Sequence, residues 1–401
     1  MQFSRGIRDI EPYQFEDLDR RKREALAAGR ELIDFGVGDP RDETPEFIRD
    51  ALKDAILPSS SYPRAAGLPE LRTAIVEWIE RRFGVTLDAA ADLIPTLGSK
   101  EPIFTLAQAT VDPGAGRDLV VVTAPGYTIA ERGARYVGAE VLRLPLSAPG
   151  FLPDLDGVEA STWTRTAILW LNYPNNPTGA VASLAFLEQA ALLARRHDFL
   201  LALDEAYSEI WFDAGPPASG LQLSDLTNVV VLNTLSKRSN MTGYRSGFLA
   251  GDPSLVAALK TLRPAVGVTP QEFIQRASIA AWGDETHVQL QRERYAAKRA
   301  IFLEVLRAKG IEVVASVAGM YLWVRVPGGR SSVEWGLELL EEGLVLAPGA
   351  YFGPEGEGYV RMAMVPTLED CRRAADILDR LLPDLSLPEP AVADSAVANP
   401  R

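Results

Sequence analysis

The chain has 401 residues, which is long enough for one large and one smaller domain, and its 47% hydrophobic and 24% charged residues are ordinary for a globular protein. Its formal charge of −13 disfavours nucleic acid or an anionic membrane surface as the main partner. A single cysteine, Cys371, excludes a disulfide framework and a cysteine-rich metal cluster. The two histidines, His197 and His287, lie in no metal-site or Ser-His-Asp motif. We therefore expect no metal site, and proton transfer by lysine, tyrosine or a carboxylate.

The N-terminal residues do not have the pattern of a signal peptide. The N-terminal residues are charged and no apolar run follows them, and no stretch is long and apolar enough to cross a bilayer. We expect a soluble, cytoplasmic protein without a signal peptide. Residues 387–401 are rich in proline, alanine and valine without periodicity, which predicts a disordered tail.

Residues 1–40 are predicted to form an arm and the first part of a small domain. A charged helix is expected at 16–28, and an apolar run predicts a strand at 32–37. Thr44 is predicted to cap a helix whose first turn contains a proline. A second helix is expected at residues 69–83, where a glycine follows the last apolar position.

Residues 41–283 alternate between short apolar runs and helical segments. Runs that are apolar on both faces predict a mostly parallel sheet with helices on each side, as in a large α/β domain. The runs lie at 93–97, 119–122, 167–171, 200–203, 229–232 and 247–250. From residue 284 to 386 the order changes to a long helix, short strands and further helices, which predicts a smaller α+β domain.

Two polar segments directly follow predicted strands, where open α/β sheets bind ligands. One runs from Asn233 to Lys237 and is followed by Arg245, which would place an amine beside an anion site. A solvated basic loop is the plain alternative. The other contains Asp204 and Tyr207. A carboxylate at the end of a buried strand is costly without a cation partner, although a helix cap would also use an aspartate here.

Two further segments occupy similar positions. Residues 172–179 contain three asparagines and two X-Pro bonds, which favour a rigid irregular loop, with Asn176 as a hydrogen-bond donor, over a plain turn. Gly98-Ser99-Lys100 lies between a strand and a helix, where backbone N–H groups can bind a phosphate. Taken alone, this last signal is weak.

Together, the four segments resemble the class I/II aminotransferases, which are pyridoxal-phosphate enzymes of fold type I. The resemblance extends in order from Gly36 to Arg361, and so covers nearly the whole chain. It implies that Lys237 holds the cofactor aldehyde as a Schiff base and moves the proton during transamination. It implies that Asp204 pairs with the ring nitrogen.

The resemblance also assigns roles to other cofactor and substrate ligands. Asn176 and Tyr207 would bind the phenolic oxygen, and Tyr127 would stack on the ring. The phosphate would be held by Gly98, Ser99, Lys100, Thr234, Ser236 and Arg245. The substrate carboxylate would be bound by Arg361, with Asn176 and the backbone of Gly38 completing its pocket. Tyr62 would reach the site of a neighbouring subunit, so a homodimer is expected.

Within the family, Gly98-Ser99-Lys100-Glu101 and the residues around Lys237 look most like N-succinyl-diaminopimelate aminotransferases. That likeness implies lysine biosynthesis, with glutamate as the amino donor, and makes Arg64 a candidate ligand for a distal carboxylate or an ordinary surface arginine. Alternatives remain open: an aminotransferase for LL-diaminopimelate, aspartate, alanine or aromatic substrates, or a carbon–sulfur β-lyase. A cofactor-sensing regulator is disfavoured because no basic DNA-binding segment precedes residue 30.

Overall fold

The computed structural model describes residues 1–3, 5–8, 15–59 and 61–382. The predicted disordered tail at 387–401 lies outside these described residues. Among the helices of the described part, none combines the length and the hydrophobicity needed to cross a membrane.

The N-terminal segment forms two helices and a short strand: α1 (Arg5–Arg8), α2 (Phe15–Ala27) and β1 (Ile33–Asp34). The helix predicted at 16–28 is confirmed, but the strand is shorter than the predicted 32–37. It ends early because the side chain of Asp34 accepts a hydrogen bond from the backbone N–H of Gly36 at 2.8 Å, which turns the chain out of the sheet.

A seven-stranded sheet forms the centre of the molecule. Its strands are β2 (Leu93–Thr96), β3 (Leu119–Ala124), β4 (Glu140–Pro145), β5 (Thr166–Asn172), β6 (Leu200–Asp204), β7 (Val229–Thr234) and β8 (Gly247–Gly251). The surrounding helices are α3 (Glu46–Asp54), α4 (Pro69–Phe83), α5 (Lys100–Thr110), α6 (Ile129–Tyr136), α7 (Ala160–Arg165), α8 (Leu184–His197), α9 (Leu235–Arg238), α10 (Pro253–Val266) and α11 (Glu272–Gly283).

The strand order is β2-β8-β7-β6-β5-β3-β4, and β8 runs in the direction opposite to the other six strands. The predicted mostly parallel sheet is therefore confirmed. The edge strand β4 was not predicted because its side chains, apart from Leu144, are exposed or half-buried, so it lacks a two-sided apolar run.

Helices cover both faces of this sheet, as β5 illustrates. Ile168 and Trp170 contact the apolar cluster beneath α5, α6 and α10, whereas Leu169 and Leu171 contact the larger cluster beneath α4, α8 and α11. Alternate side chains point to opposite faces of a strand, so burial on both faces requires apolar residues at every position. This explains why the central strands could be predicted from the sequence.

The predicted helix cap at Thr44 is wrong. Helix α3 begins at Glu46 with Pro45 at the cap position and without a capping side chain. The hydroxyl of Thr44 instead donates a hydrogen bond to the backbone oxygen of Asn240 at 2.6 Å. A distant carbonyl therefore takes the donor that the local sequence pattern assigned to the helix.

The C-terminal part forms a second, smaller α+β unit. It contains α12 (Thr286–Ala308), β9 (Val313–Val314), β10 (Tyr321–Arg325), α13 (Ser332–Glu341), β11 (Leu344–Val345), β12 (Ala347–Pro348), β13 (Tyr359–Ala363) and α14 (Leu368–Leu381). Four of these strands form an antiparallel sheet in the order β12-β13-β10-β9. Strand β11 pairs with β1, which joins the N-terminal arm to this unit. The predicted domain boundaries at residues 40 and 283 stay predictions.

Candidate active site

A cavity of about 360 Å³ lies where the two units meet. One side is built by the residues that follow the carboxyl ends of β3, β5, β6 and β7, which reach the same edge of the central sheet. The other side is built by the segment after β1, by helix α2 and by residues of β10 and β13. The position agrees with the rule that open α/β sheets bind ligands at the carboxyl ends of their strands.

Lys237 lies on the one-turn helix α9, directly after β7, and its side chain is partly exposed to this cavity. Its amine donates a hydrogen bond to the backbone oxygen of Gly38 at 2.5 Å. Burial lowers the pKa of the amine to about 8, and the positive charges of Arg361 and Arg245 act in the same direction, against the opposing effect of Asp39. A larger fraction of this amine is therefore neutral, and nucleophilic, near neutral pH than in an ordinary lysine.

Asp204 ends β6 and is buried at the bottom of the same cavity. Its carboxylate accepts one hydrogen bond, at 3.2 Å from the backbone N–H of Ala206. Burial raises the pKa of Asp204 to about 6, although the Ala206 N–H and the charge of Lys237 partly oppose this effect. Among the described residues, no lysine or arginine forms a salt bridge with it, so a cationic ligand would be stabilised here.

A group of basic and hydroxyl side chains surrounds one end of the cavity, beside the N-terminus of α5: Ser99, Lys100, Thr234, Ser236 and Arg245. Burial, together with the charges of Arg245 and Arg132, lowers the pKa of Lys100. The repulsion among these cations and the backbone N–H groups at the helix N-terminus favour an anionic ligand.

Gly98 does not line the cavity, but it makes room for Arg245. Its φ of +70° is a conformation that favours glycine, and a Cβ atom there would lie 2.8 Å from the Nη2 atom of Arg245. The same nitrogen donates a hydrogen bond to the backbone oxygen of Leu97 at 3.1 Å. Glycine at position 98 therefore lets the guanidinium of Arg245 lie close to the end of β2.

Arg361 also lines the cavity and is only 4% exposed. Its guanidinium donates hydrogen bonds to the side-chain oxygen of Asn176 at 2.9 Å and to the backbone oxygen of Gly36 at 2.6 Å. Within the described residues, its buried Nε atom has no hydrogen-bond acceptor and its charge pairs with no carboxylate. A buried cation without an anion is unfavourable, so the geometry favours an anionic ligand here too.

Two tyrosines connect the two sides of the cavity. The hydroxyl groups of Tyr207, after β6, and Tyr321, at the start of β10, lie 2.8 Å apart, and burial raises both pKa values. The ring of Tyr321 also lies 4.5 Å from the guanidinium of Arg361. A Cβ atom on Gly38 would come within 2.3 Å of the Tyr321 hydroxyl, so glycine at position 38 lets the backbone approach.

The structure brings together most of the residues that sequence analysis singled out. Those that line the cavity are Gly38, Ser99, Lys100, Tyr127, Asn176, Asp204, Tyr207, Thr234, Ser236, Lys237, Arg245 and Arg361. Tyr62 does not reach this cavity, and its side chain is fully exposed. Sequence analysis missed other lining residues, which include Phe15, Asp19, Asp39, Asn172, Thr242, Tyr321, Tyr351 and Phe352. Asn172 lies in the predicted loop at 172–179, whereas Asp39, Tyr321 and Phe352 carried no local signal.

Comparison with known proteins identifies the family. The model of the family "Aminotransferase class I and II" matches residues 30–378. The chain belongs to this family. It is 38% identical to LL-diaminopimelate aminotransferase 2 of Nostoc sp. strain PCC 7120, over 93% of this chain and 96% of that protein. It is also 38% identical to the LL-diaminopimelate aminotransferase of Dehalococcoides mccartyi strain 195, over 91% and 95%.

Solved structures of the family have the same fold. An aminotransferase from Neisseria meningitidis Z2491 is 33% identical with a TM-score of 0.87, over 94% of this chain and 99% of that one. A probable N-succinyldiaminopimelate aminotransferase from Thermus thermophilus is 32% identical with a TM-score of 0.84, over 91% and 99%. The predicted fold type I architecture is confirmed.

This aminotransferase is pyridoxal-phosphate dependent, as the family is. The residues present fit that cofactor. The cavity offers an amine of lowered pKa, a buried carboxylate without an ionic partner, and a cationic helix N-terminus. Aldehyde, ring nitrogen and phosphate each require one of these groups.

Replacing Asp204 with asparagine should stabilise the cofactor-free protein above pH 6. The folded-state pKa of about 6 exceeds the ordinary value of 3.8, so the stability that protonation contributes is complete below pH 3.8 and is lost as the pH rises through 6. The uncharged asparagine side chain avoids this loss, which amounts to about 3 kcal/mol for a shift of two pH units. Denaturant unfolding of both proteins between pH 4 and pH 8 would measure the difference. If the two proteins differ in unfolding free energy by the same amount at every pH, the pKa of Asp204 is not raised in the folded state.

Proposed function

We propose that this aminotransferase transfers the amino group between LL-diaminopimelate and a 2-oxo acid, with glutamate as the partner amino acid. The support is the 38% identity to LL-diaminopimelate aminotransferases over more than nine-tenths of each chain. Sequence analysis favoured an N-succinyl substrate and left LL-diaminopimelate open as an alternative. These relatives favour the alternative.

One observation carries the assignment of the site. The amine of Lys237 and the buried guanidinium of Arg361 open into one cavity, and no carboxylate of the described residues pairs with Arg361. An α-amino acid carries a carboxylate that can pair with this guanidinium and, on the same carbon, an amine that could take the place of Lys237 on the cofactor aldehyde. A planar guanidinium can bind the carboxylate with two parallel hydrogen bonds.

The residues of the cavity have distinct proposed roles. When bound, pyridoxal phosphate supplies an aldehyde that condenses with amines and a ring that withdraws electrons from the substrate Cα. Lys237 would hold the aldehyde carbon and, when its amine is free, would move the proton at the substrate Cα, because its lowered pKa keeps part of the amine neutral. Asp204 keeps the ring nitrogen protonated. The phosphate is held by Ser99, Lys100, Thr234, Ser236 and Arg245, with Gly98 allowing Arg245 to approach.

The remaining cavity residues would orient the ring and the substrate. Tyr127 follows β3 and stacks on the ring in this proposal, and Tyr207 donates a hydrogen bond to its phenolic oxygen. The side-chain oxygen of Asn176 binds Arg361, which leaves its amide N–H groups as the donors for a ligand. The backbone of Gly38 borders the carboxylate pocket.

Asp39 is the residue that we assign to the far end of the substrate. It is exposed at the cavity, and its carboxylate has no hydrogen bond or salt bridge within the part of the chain that the structure describes. The backbone from Gly36, which binds Arg361, to Asp39 spans at most about 10 Å. LL-diaminopimelate carries a second ammonium group at its far end, and Asp39 can attract that charge.

We further propose that the protein acts as a homodimer. Tyr62 is fully exposed and Arg64 is exposed, so neither is committed to contacts within its own chain. In family members a tyrosine at this position enters the neighbouring active site. Tyr62 would then complete the phosphate site of the partner, and Arg64 would lie beside the distal part of the substrate.

A substrate panel tests the function directly. The protein loaded with pyridoxal phosphate is mixed with LL-diaminopimelate, N-succinyl-LL-diaminopimelate, glutamate, aspartate, alanine and phenylalanine, and the absorbance of the bound cofactor is followed. We expect kcat/KM for LL-diaminopimelate to exceed those for aspartate, alanine and phenylalanine by tenfold or more, on the order expected for a site that binds both ends. Inactivity with both diaminopimelates would contradict the proposal. Pyruvate release without an oxo-acid acceptor would indicate a β-lyase instead.

N-succinyl-diaminopimelate is the second candidate substrate. It is favoured by the residues around Lys237 and by the likeness to the Thermus protein, a probable N-succinyldiaminopimelate aminotransferase. A higher kcat/KM for the succinylated compound than for LL-diaminopimelate would support this candidate. Such a result would also assign the distal carboxylate to Arg64 rather than the distal ammonium to Asp39.

Replacing Arg361 with alanine should remove about 2–5 kcal/mol of substrate binding, because it truncates one partner of a buried charge pair. Steady-state kinetics would show the loss in kcat/KM, while the cofactor remains bound. Arg325→Ala on the neighbouring strand is the matched control, since that side chain is half-exposed and pairs with Glu312. Wild-type kcat/KM in the Arg361 variant would exclude this role.

Replacing Asp39 with asparagine should lower kcat/KM for LL-diaminopimelate about 2- to 5-fold, as expected for an exposed charge pair. The loss should be smaller with glutamate, because glutamate presents a carboxylate at its far end, whereas any effect of Asp39 on the pKa of Lys237 is common to both substrates. Asp50→Asn on the exposed face of α3 serves as the control. An unchanged ratio between the two substrates would remove Asp39 from substrate recognition.

A further inference from the structure

The three residues that follow Lys237 are each bound to the junction between α11 and α12 or to the first part of α12. Arg238 donates hydrogen bonds to the backbone oxygen of Ala281 at 3.0 Å and to the carboxylate of Glu285 at 2.6 Å. Asn240 and Gln291 exchange two side-chain hydrogen bonds, of 3.2 and 3.0 Å. Between them, the hydroxyl of Ser239 lies 2.8 Å from Nε2 of His287.

The contact of Ser239 extends into a chain of three side chains. Nδ1 of His287 lies 2.6 Å from the carboxylate of Asp284, which also accepts the backbone N–H of His287 at 2.9 Å. Burial alone would raise the pKa of Asp284, but the hydrogen bonds from His287 lower it, so the carboxylate is ionised and can only accept. Burial lowers the pKa of His287. The neutral ring therefore carries its proton on Nδ1, and Nε2 accepts from Ser239.

The hydrogen bonds from Ser239 to His287 and Asp284 have the connectivity of a Ser-His-Asp triad. The sequence did not indicate this arrangement, because the three residues share no motif. The arrangement cannot act as a triad. Ser239 is only 1% exposed, so its oxygen cannot reach the carbonyl carbon of a substrate. The hydrogen bonds instead fix the backbone two residues beyond Lys237.

Helix α12 also holds the acceptor of the Lys237 amine. Gly38 accepts the hydrogen bond from that amine, and the segment that follows it is bound twice. Asp42 pairs with the buried Lys298 of α12 at 2.8 Å, and Thr44 donates to the backbone oxygen of Asn240 at 2.6 Å. The lysine and the carbonyl that orients it are therefore both tied to one helix.

A firm attachment is needed because α9 contains only four residues. A single helical turn is not stable on its own, so its position depends on what holds its two ends. At the start, the hydroxyl of Thr234 accepts the backbone N–H of Ser236 at 3.2 Å. At the other end, the position of α9 is fixed by the contacts of Arg238, Ser239 and Asn240. We call these contacts, with the Asp284–His287 pair, the α12 clamp.

We propose that the α12 clamp positions Lys237 for the proton transfer at the substrate Cα, with Ser239, His287 and Asp284 as positioning residues that never touch the substrate. The inference rests on the proposed role of Lys237. The inference adds that Asp284 and His287, about 50 residues after Lys237 in the sequence, help to set the position of the Lys237 amine. They act through hydrogen bonds to Ser239 and not through contact with the cofactor.

The test compares the two histidines of the chain. His287→Gln should lower kcat of the holoenzyme about 10- to 100-fold, as a misplacement of about 1 Å would, and leave KM within about threefold. His197→Gln, at the end of α8, should leave both constants unchanged. Asp284→Asn should resemble His287→Gln, and the double variant should be no slower than either single variant because all interrupt the same chain.

A second readout uses the cofactor-free protein. The rate at which trinitrobenzenesulfonate modifies Lys237, quantified by peptide mass spectrometry, should have a midpoint near pH 8 in the wild type. In His287→Gln it should move toward the ordinary lysine value, because the amine is released toward solvent. Equal midpoints and equal kcat in the two histidine variants would overturn the clamp. If borohydride reduction of the wild-type holoenzyme leaves Lys237 unlabelled, the proposed function itself fails.

Discussion

The arrangement of the cavity depends on the desolvation of one amine, that of Lys237. Lys237 keeps a neutral fraction near physiological pH because it is buried beside Arg361 and Arg245, and nearby carboxylates only partly offset this effect. The arrangement requires parallel strands that end together, a second unit that covers them, and anionic ligands that neutralise the two arginines. The large sheet provides the parallel strands, and the C-terminal unit covers their ends. A phosphate and an α-carboxylate would provide the anions that neutralise the two arginines.

The parts of the fold that the sequence predicted are those with a local physical signature. The strand at Ile168–Leu171 is apolar at every position because both faces are covered, and helix α4 ends at Gly84, which adopts a left-handed conformation. The predicted site residues that line the cavity, such as Asp204 and Lys237, lie at or just beyond the carboxyl ends of such strands. Polar residues at the end of a buried strand require a reason, and a ligand is the commonest one.

The residues that were missed are placed by contacts between distant segments. Tyr321 reaches the cavity because β10 pairs with β13 in the other unit, and nothing around it in the sequence reports that pairing. The cap predicted at Thr44 failed for the same reason, since its donor binds a carbonyl almost 200 residues away. Asp39, which we propose for the distal part of the substrate site, was missed because it lies in a glycine-rich turn without a distinctive pattern.

The antiparallel strand β8 has a further consequence for how this enzyme can change. Thr234 of β7 pairs with Gly247 of β8, and the backbone N–H of Leu235 binds the oxygen of Ser246 at 3.1 Å. Both ends of the segment 235–246 are therefore anchored to the sheet. An insertion or deletion between residues 235 and 246 would move Lys237 relative to Arg245. We therefore expect relatives of this protein to vary in length in surface loops and not in this segment.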